Sequence, residues 1–161
     1  MTAEAVAAYR VTPALGDAER AIIAEALVLL ERACRRGPLL QSPREVGQYL
    51  ALHLACRDCE HFVALMLDSQ HRLIETVELA RGTLDGAAVY PREVVKAALA
   101  YNAAAVIFSH NHPSGEPEPS AADRALTDRL REALKLVDIR TLDHVVVGGA
   151  RWVSLAERGW V

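Results

Sequence analysis

The sequence predicts an α/β (α+β) protein of three layers, a mixed β-sheet with helices on its faces. Three observations carry that expectation. Apolar stripes of helical period alternate along the chain with short, nearly continuous apolar runs of strand length. Two of these runs are joined by a four-residue polar turn, as in an antiparallel hairpin. The later runs are separated by a capped helix, so helices alternate with strands around one sheet.

The elements follow in order. Residues 1 to 17 are alanine-rich, carry Pro13 and Gly16, and show no sustained period, so they read as a loosely held arm. Asp17 to about Arg36 is a helix with Ile22, Ile23, Ala26, Leu27, Leu30 and Cys34 on one stripe, stopped by Gly37-Pro38. Ser42-Pro43-Arg44-Glu45 has the form of a capping box with proline at the first helical position. The helix it opens buries Val46, Leu50 and Leu54 and runs to roughly Arg57.

Phe62 to Leu67 reads as a strand covered on both faces; Asp68-Ser69-Gln70-His71 is a turn, and Leu73 to Ala80 pairs back as a hairpin. Gly82 and Gly86 frame a loop, and Ala87 to Tyr90 is a short strand in this reading. Pro91-Arg92-Glu93 starts a helix that reaches Asn102, and Ala103 to Ser109 is a buried strand. Ser120 caps a helix to about Val137, Ile139 to Val147 is a strand, Gly148-Gly149-Ala150 a tight turn, and Arg151 to Ser154 a closing strand. The expected division is an N-terminal arm and helix over residues 1–40 and a main domain over residues 41–161.

Composition narrows the function. The 161 residues are 52% apolar and 24% charged, an ordinary globular balance that supports a substantial core. Eighteen basic against 21 acidic side chains give a net charge of -3, which argues against a bare electrostatic grip on nucleic acid. Three cysteines cannot make an even disulfide framework, nothing at the N-terminus reads as a signal peptide, and no apolar run spans a bilayer. A cytoplasmic protein with no membrane association is the expectation.

The chemistry concentrates at His110-Asn111-His112, followed after seven residues by Ser120-Ala121-Ala122-Asp123. Two imidazoles and a carboxylate are ligand types that hold zinc and leave a fourth position for water. At the exit of a strand, side chains at i and i+2 point the same way, so His110 and His112 can converge while Asn111 faces away. Pro113 forbids further pairing, and the segment from Ser114 to Pro119 returns the chain to the same end of the sheet. With Ser120 as N-cap, Asp123 falls at N3, where the helix dipole favours a carboxylate. The plain structural reading of Ser-x-x-Asp is a capping box, and both uses are compatible.

His110-Asn111-His112-Pro113-Ser114-Gly115 with Pro119-Ser120 and Asp123 resembles the JAMM (MPN-plus) zinc metallopeptidase motif in its bacterial RadC-like form. The similarity covers about residues 42 to 157 and includes Gly82-Thr83, Pro91-Arg92-Glu93-Val94 and Asp143-His144-Val145-Val146-Val147-Gly148. The resemblance implies a curved mixed sheet of the JAMM/MPN (cytidine-deaminase-like) kind and one zinc held by His110, His112, Asp123 and a water. It further implies a glutamate that deprotonates this water, matched here by Glu60, and a serine that hydrogen-bonds the oxyanion, matched by Ser120. Glu75, Glu78 and Glu93 are weaker competitors for the base, explained by solvated faces and capping. Longer members of the family place a helix-hairpin-helix module upstream, whereas only about 40 residues precede the match here. The sequence therefore resembles the short, stand-alone form, and a DNA association is left open.

Other groups compete for attention. His53, Cys56, Cys59 and His61 have spacings that could serve a structural zinc, although cysteines at a helix end more often behave as small hydrophobes. Asp143-His144 is either a pair that orients a metal ligand or, the stronger reading, strand packing. His61 and His71 read as surface residues, and Trp152 and Trp160 as packing. Arg32, Arg35 and Arg36 offset a helix dipole. The expected function is a zinc metallohydrolase cleaving peptide or isopeptide bonds in a protein or peptide substrate. The alternatives are a non-catalytic zinc-binding module in a DNA-repair-associated complex and a hydrolase of non-peptide bonds. A homodimer through a sheet edge is compatible with all three.

Overall fold

The computed structural model describes residues 16–33, 37–82 and 88–161. The chain divides into two units, between residues 35 and 36. The first contributes one described element, α1 (Asp17–Ala33), with Asp17 and Glu19 in its first turn, where negative charge suits the dipole. Glu19 Oε2 accepts from Gly16 N at 2.8 Å. Ile22 and Ile23 of the expected stripe are exposed. The arm before Gly16, Cys34, Arg35 and Arg36 lie outside the described residues, as do Thr83, Gly86 and Ala87.

The second unit contains α2 (Pro43–Leu54), β1 (His61–Leu67), β2 (Leu73–Arg81), α3 (Pro91–Ala100), β3 (Ala105–Asn111), α4 (Ala121–Lys135), β4 (Arg140–Gly148) and β5 (Arg151–Ser154). The strands form one mixed sheet in the order β2-β1-β3-β4-β5. Only the β3–β4 pair is parallel; β1–β2, β1–β3 and β4–β5 are antiparallel. The parallel pair is the one whose connection holds α4, as strand polarity requires.

The core has two halves because β1 and β3 are buried on both faces. On one face Leu65, Leu67 and Ile107 pack with Leu50 and Leu54 of α2, and Trp152 flanks them. On the other, Phe62, Met66, Val106 and Phe108 meet Val94 and Ala98 of α3 and Leu130 and Leu134 of α4. This is the expected three-layer arrangement, with α2 on one face and α3 and α4 on the other. Gly47 permits the closest approach of α2, since a Cβ there would stand 2.2 Å from the Trp152 ring.

Local signals explain the ends. Ser42 caps α2 with its side chain on Glu45 N, and Glu45 Oε2 accepts from Ser42 N, a box whose loss typically costs about 1 kcal/mol. The hairpin turn is held by Asp68 Oδ1, which accepts from Gln70 N and Arg72 N at 2.8 and 2.9 Å. His71 there has φ of 63°. Residues 88–90 form no strand, contrary to expectation. This stretch is short and is followed at once by Pro91, which offers no N–H to a ladder. Among the described residues no helix is long and apolar enough to cross a membrane.

Candidate metal centre

β3 runs two residues beyond the expected end at Ser109, so His110 and Asn111 are part of the sheet. Its neighbours sustain it: Phe62 pairs with His110 on one side, and Val146 and Val147 pair with His110 and Asn111 on the other. The chain stays extended into His112, whose N–H donates to Val147 O at 2.8 Å. The rings of His110 and His112 consequently share a side, with centroids 4.8 Å apart. Beyond Pro113 the loop turns at Gly115, whose φ of +81° is the left-handed conformation glycine adopts freely. The loop then lies against Gly148, where an added Cβ would stand 2.6 Å from Gly115 O and Pro117 N. Arg151 donates to Gly115 O at 3.1 Å, and Arg158 grips Glu118 with two bonds of 2.6 and 2.7 Å.

The loop delivers Ser120 as the N-cap of α4. Asp123 N donates to Ser120 Oγ at 3.1 Å, while Ser120 N and Ser120 Oγ both donate to Asp123 Oδ2 at 2.7 Å. Asp123 Oδ1 lies 3.3 Å from His110 Nε2, and Oδ2 lies 3.8 Å from His112 Nε2. The two Nε2 atoms are 3.0 Å apart. One ligand atom from each of His110, His112 and Asp123 lies within 4.8 Å of the other two.

The proton positions follow from the partners behind these residues. Thr127 Oγ1 donates to Asp123 O at 2.6 Å, because a carbonyl can only accept. Its remaining contact, 2.6 Å to His144 Nδ1, must then be one in which the imidazole donates. Burial first, then the neighbouring His110 and His112, hold the fully buried His144 well below its ordinary pKa against the pull of Asp123, so it is neutral. Its Nε2 therefore accepts from His110 Nδ1 at 2.8 Å. His112 Nδ1 donates to Glu116 O at 2.8 Å by the same reasoning. Each ligand ring has its proton engaged on the far side, which leaves its Nε2 lone pair for the shared centre. Two lone pairs and a carboxylate oxygen at these distances repel one another unless a cation stands among them. The donor set thus fits a metal ion. Burial of Asp123 works against its charged form. His110, when a proton at its Nε2 stands in place of a metal ion, and then the Ser120 donors outweigh that and hold the acid well below the carboxylate range.

The expected base, Glu60, sits just before β1 and lines a cleft of ≈ 560 Å³ together with Asp58, Cys59, Gly82, His112, Pro113 and Ser114. Asn111 faces away from the two rings and does something the sequence did not suggest. Its Nδ2 donates to Cys59 O at 2.9 Å and its Oδ1 accepts from His61 N at 2.8 Å, the residues on either side of Glu60.

His144 fulfils the orienting half of the Asp143-His144 alternative. Asp143 is instead a buried structural acid that accepts from Ser154 Oγ, Ala156 N and His144 N. Thr127 escaped the sequence reading, although its place one turn after Asp123 on α4 is the signal that marks it. His61 is buried, not a surface residue, because β1 is covered on both faces. The alternative group of His53, Cys56, Cys59 and His61, the weaker reading of those residues, is not assembled. His53 is exposed and stacks on Tyr49, Cys56 is exposed, and Asp58 joins Cys59 and His61 instead.

A mixed sheet that offers two histidines at a strand exit and an aspartate at a helix start defines an α/β domain with a candidate metal-binding group. The RadC-like JAB domain family matches residues 40–160, and the chain belongs to that family. A UPF0758 protein of Vibrio cholerae is 57% identical over 143 residues, covering 89% of this chain and 90% of the relative. UPF0758 proteins of Xanthomonas oryzae and Halorhodospira halophila are 55% and 56% identical over 153 and 155 residues. Those matches take in 92% and 94% of this chain and 68% and 69% of the longer relatives. Membership places the chain in a family of JAMM-type metallohydrolases, and the relatives' names state no activity.

Proposed function

We propose that this protein is a zinc-dependent hydrolase of the JAMM type that cleaves amide bonds, peptide or isopeptide, in a protein substrate. The supporting observation is the convergence of His110, His112 and Asp123, with a hydrogen-bond partner behind each ligand. One zinc ion per chain would be held by these three side chains. When bound, it supplies Lewis acidity, bringing the pKa of a coordinated water toward about 7 and polarising a substrate carbonyl. Glu60 is assigned the proton: it takes it as the water attacks and returns it to the leaving amine. Its place in the cleft beside His112 supports that assignment. Ser120 is assigned the oxyanion, which requires its hydroxyl to turn from Asp123 Oδ2 toward the substrate.

The test compares zinc-loaded wild type with Glu60→Gln on peptide and isopeptide libraries read by mass spectrometry. The wild type is expected to cleave, and the variant to bind the same zinc with hydrolysis lowered about 10²–10⁴-fold. Full activity in Glu60→Gln removes the assigned base. A wild type that binds zinc and cleaves nothing removes the enzymatic reading.

A further inference from the structure

We propose that Asp58, Cys59 and His61 form a second site, for a soft divalent cation of the zinc class. A carboxylate oxygen, Cys59 Sγ and a ring nitrogen of His61 lie within 4.8 Å of one another. Cys59 and His61 stand two residues apart where the bend before β1 enters the strand. Cys59 Sγ is 3.3 Å from His61 Nε2.

The histidine is prepared in the way ligand histidines are. His61 is buried, and its Nδ1 lies 2.6 Å from Glu78 Oε2 on β2, across the β1–β2 ladder. The carboxylate accepts the Nδ1 proton and leaves the Nε2 lone pair for the sulfur side. Arg81 holds Glu78 in turn through a 3.3 Å ion pair. The backbone of both ligands is fixed as well, Cys59 O and His61 N being the two groups bound by Asn111. Asp58 and Cys59 line the ≈ 560 Å³ cleft with His61 buried behind them, and three protein donors leave the remaining coordination to water or a cleft ligand.

The donor types choose the ion. Thiolate with imidazole selects zinc or cobalt over magnesium or calcium, which prefer oxygen. Binding replaces the thiol proton: the S–H bond breaks, the S–metal bond forms, and the proton leaves to solvent. The His110–His112–Asp123 centre contains no sulfur, so the two sites are distinguishable by absorption.

Cobalt(II) titration of the full chain is the experiment. Two equivalents are expected to bind, one of them bringing a thiolate-to-cobalt charge-transfer band. Cys59→Ser should abolish that band and one equivalent, whereas the double variant Cys34→Ser/Cys56→Ser keeps both. Glu78→Gln should retain the fold by circular dichroism and weaken the sulfur-bearing site about 10–100-fold. His112→Ala should leave the band in place, which makes the result independent of the hydrolase reading. A wild type with one equivalent and no thiolate band overturns the proposal, as does a band that survives Cys59→Ser.

Discussion

Asn111 holds the main chain on both sides of Glu60, donating to Cys59 O and accepting from His61 N. The residue between the two histidines thereby ties the strand that carries the ligands to the segment that carries the proposed base. A carboxylate just before a strand would otherwise be free to wander. Asn111→Ala should leave a buried backbone N–H and a half-buried carbonyl unpaired and cost about 1–3 kcal/mol of stability. Zinc held by His110, His112 and Asp123 should stay at wild-type stoichiometry while hydrolysis falls about 10²-fold, the scale set by misplacing a reacting group. Hydrogen exchange at residues 59–61 should accelerate. If zinc is lost together with activity, Asn111 supports the metal ligands and not Glu60.

Thr127 ends the chain of hydrogen bonds that fixes the tautomer of His110. Valine has nearly the same shape without the hydroxyl, so Thr127→Val leaves His144 Nδ1–H with no acceptor in a fully buried place. We expect zinc affinity, measured by competition with a chromophoric chelator, to drop about 10–100-fold. Thr127→Ser should retain it. Equal affinity in Thr127→Val and wild type would mean that His110 needs no such orientation.

The candidate metal centre was legible as a cluster because its parts are close in sequence. His110 and His112 share a strand side, and Asp123 falls at N3 of a helix that Ser120 announces. Their partners were harder to read. Asn111 meets residues 50 and 52 positions away, and His144 meets His110 across 34, so both depend on strand register. The assignment of Glu60 rests chiefly on the family resemblance and only secondarily on its position at the approach to an apolar strand. The group around His53 failed for a geometric reason. α2 ends at Leu54, and the turn after it leaves Cys56 outside while swinging Asp58 toward Cys59 and His61.

Asp143 makes stability depend on acid pH. Burial pushes its carboxyl above the ordinary value, although bonds from Ser154, Ala156 and His144 oppose the shift. The folded chain therefore holds this proton to higher pH than the unfolded chain. Just above the ordinary carboxylate value the native state binds more protons, and its stability falls as pH rises through that window. Asp143→Asn keeps an oxygen for the two backbone donors and presents an N–H to Ser154 Oγ. Chemical denaturation between about pH 4 and pH 6 should show the variant gaining on the wild type as pH rises. A difference that is constant or shrinks with pH would contradict the assignment.

Gly148 and Gly149 are neighbours with opposite requirements, and together they test how the motif loop is held. A Cβ on Gly148 would stand 2.6 Å from Gly115 O and Pro117 N and 2.8 Å from Glu116 C, all main-chain atoms of the loop between His112 and Ser120. Backbone cannot rotate out of the way, so Gly148→Ala must lift the loop. Overpacking of this kind costs about 1–3 kcal/mol. The same displacement pulls on Glu116 O, the acceptor for His112 Nδ1, and on the path to Asp123. Gly149 has φ of +58° and open space around its Cβ position, so Gly149→Ala meets only conformational strain of about 1 kcal/mol. We expect both variants to unfold earlier in denaturant but only Gly148→Ala to lose zinc affinity, by at least about tenfold, because the loop carries the acceptor that orients His112. Equal zinc affinity in the two variants would show that the ligands are placed by β3 and α4 alone, with the loop a passive connection.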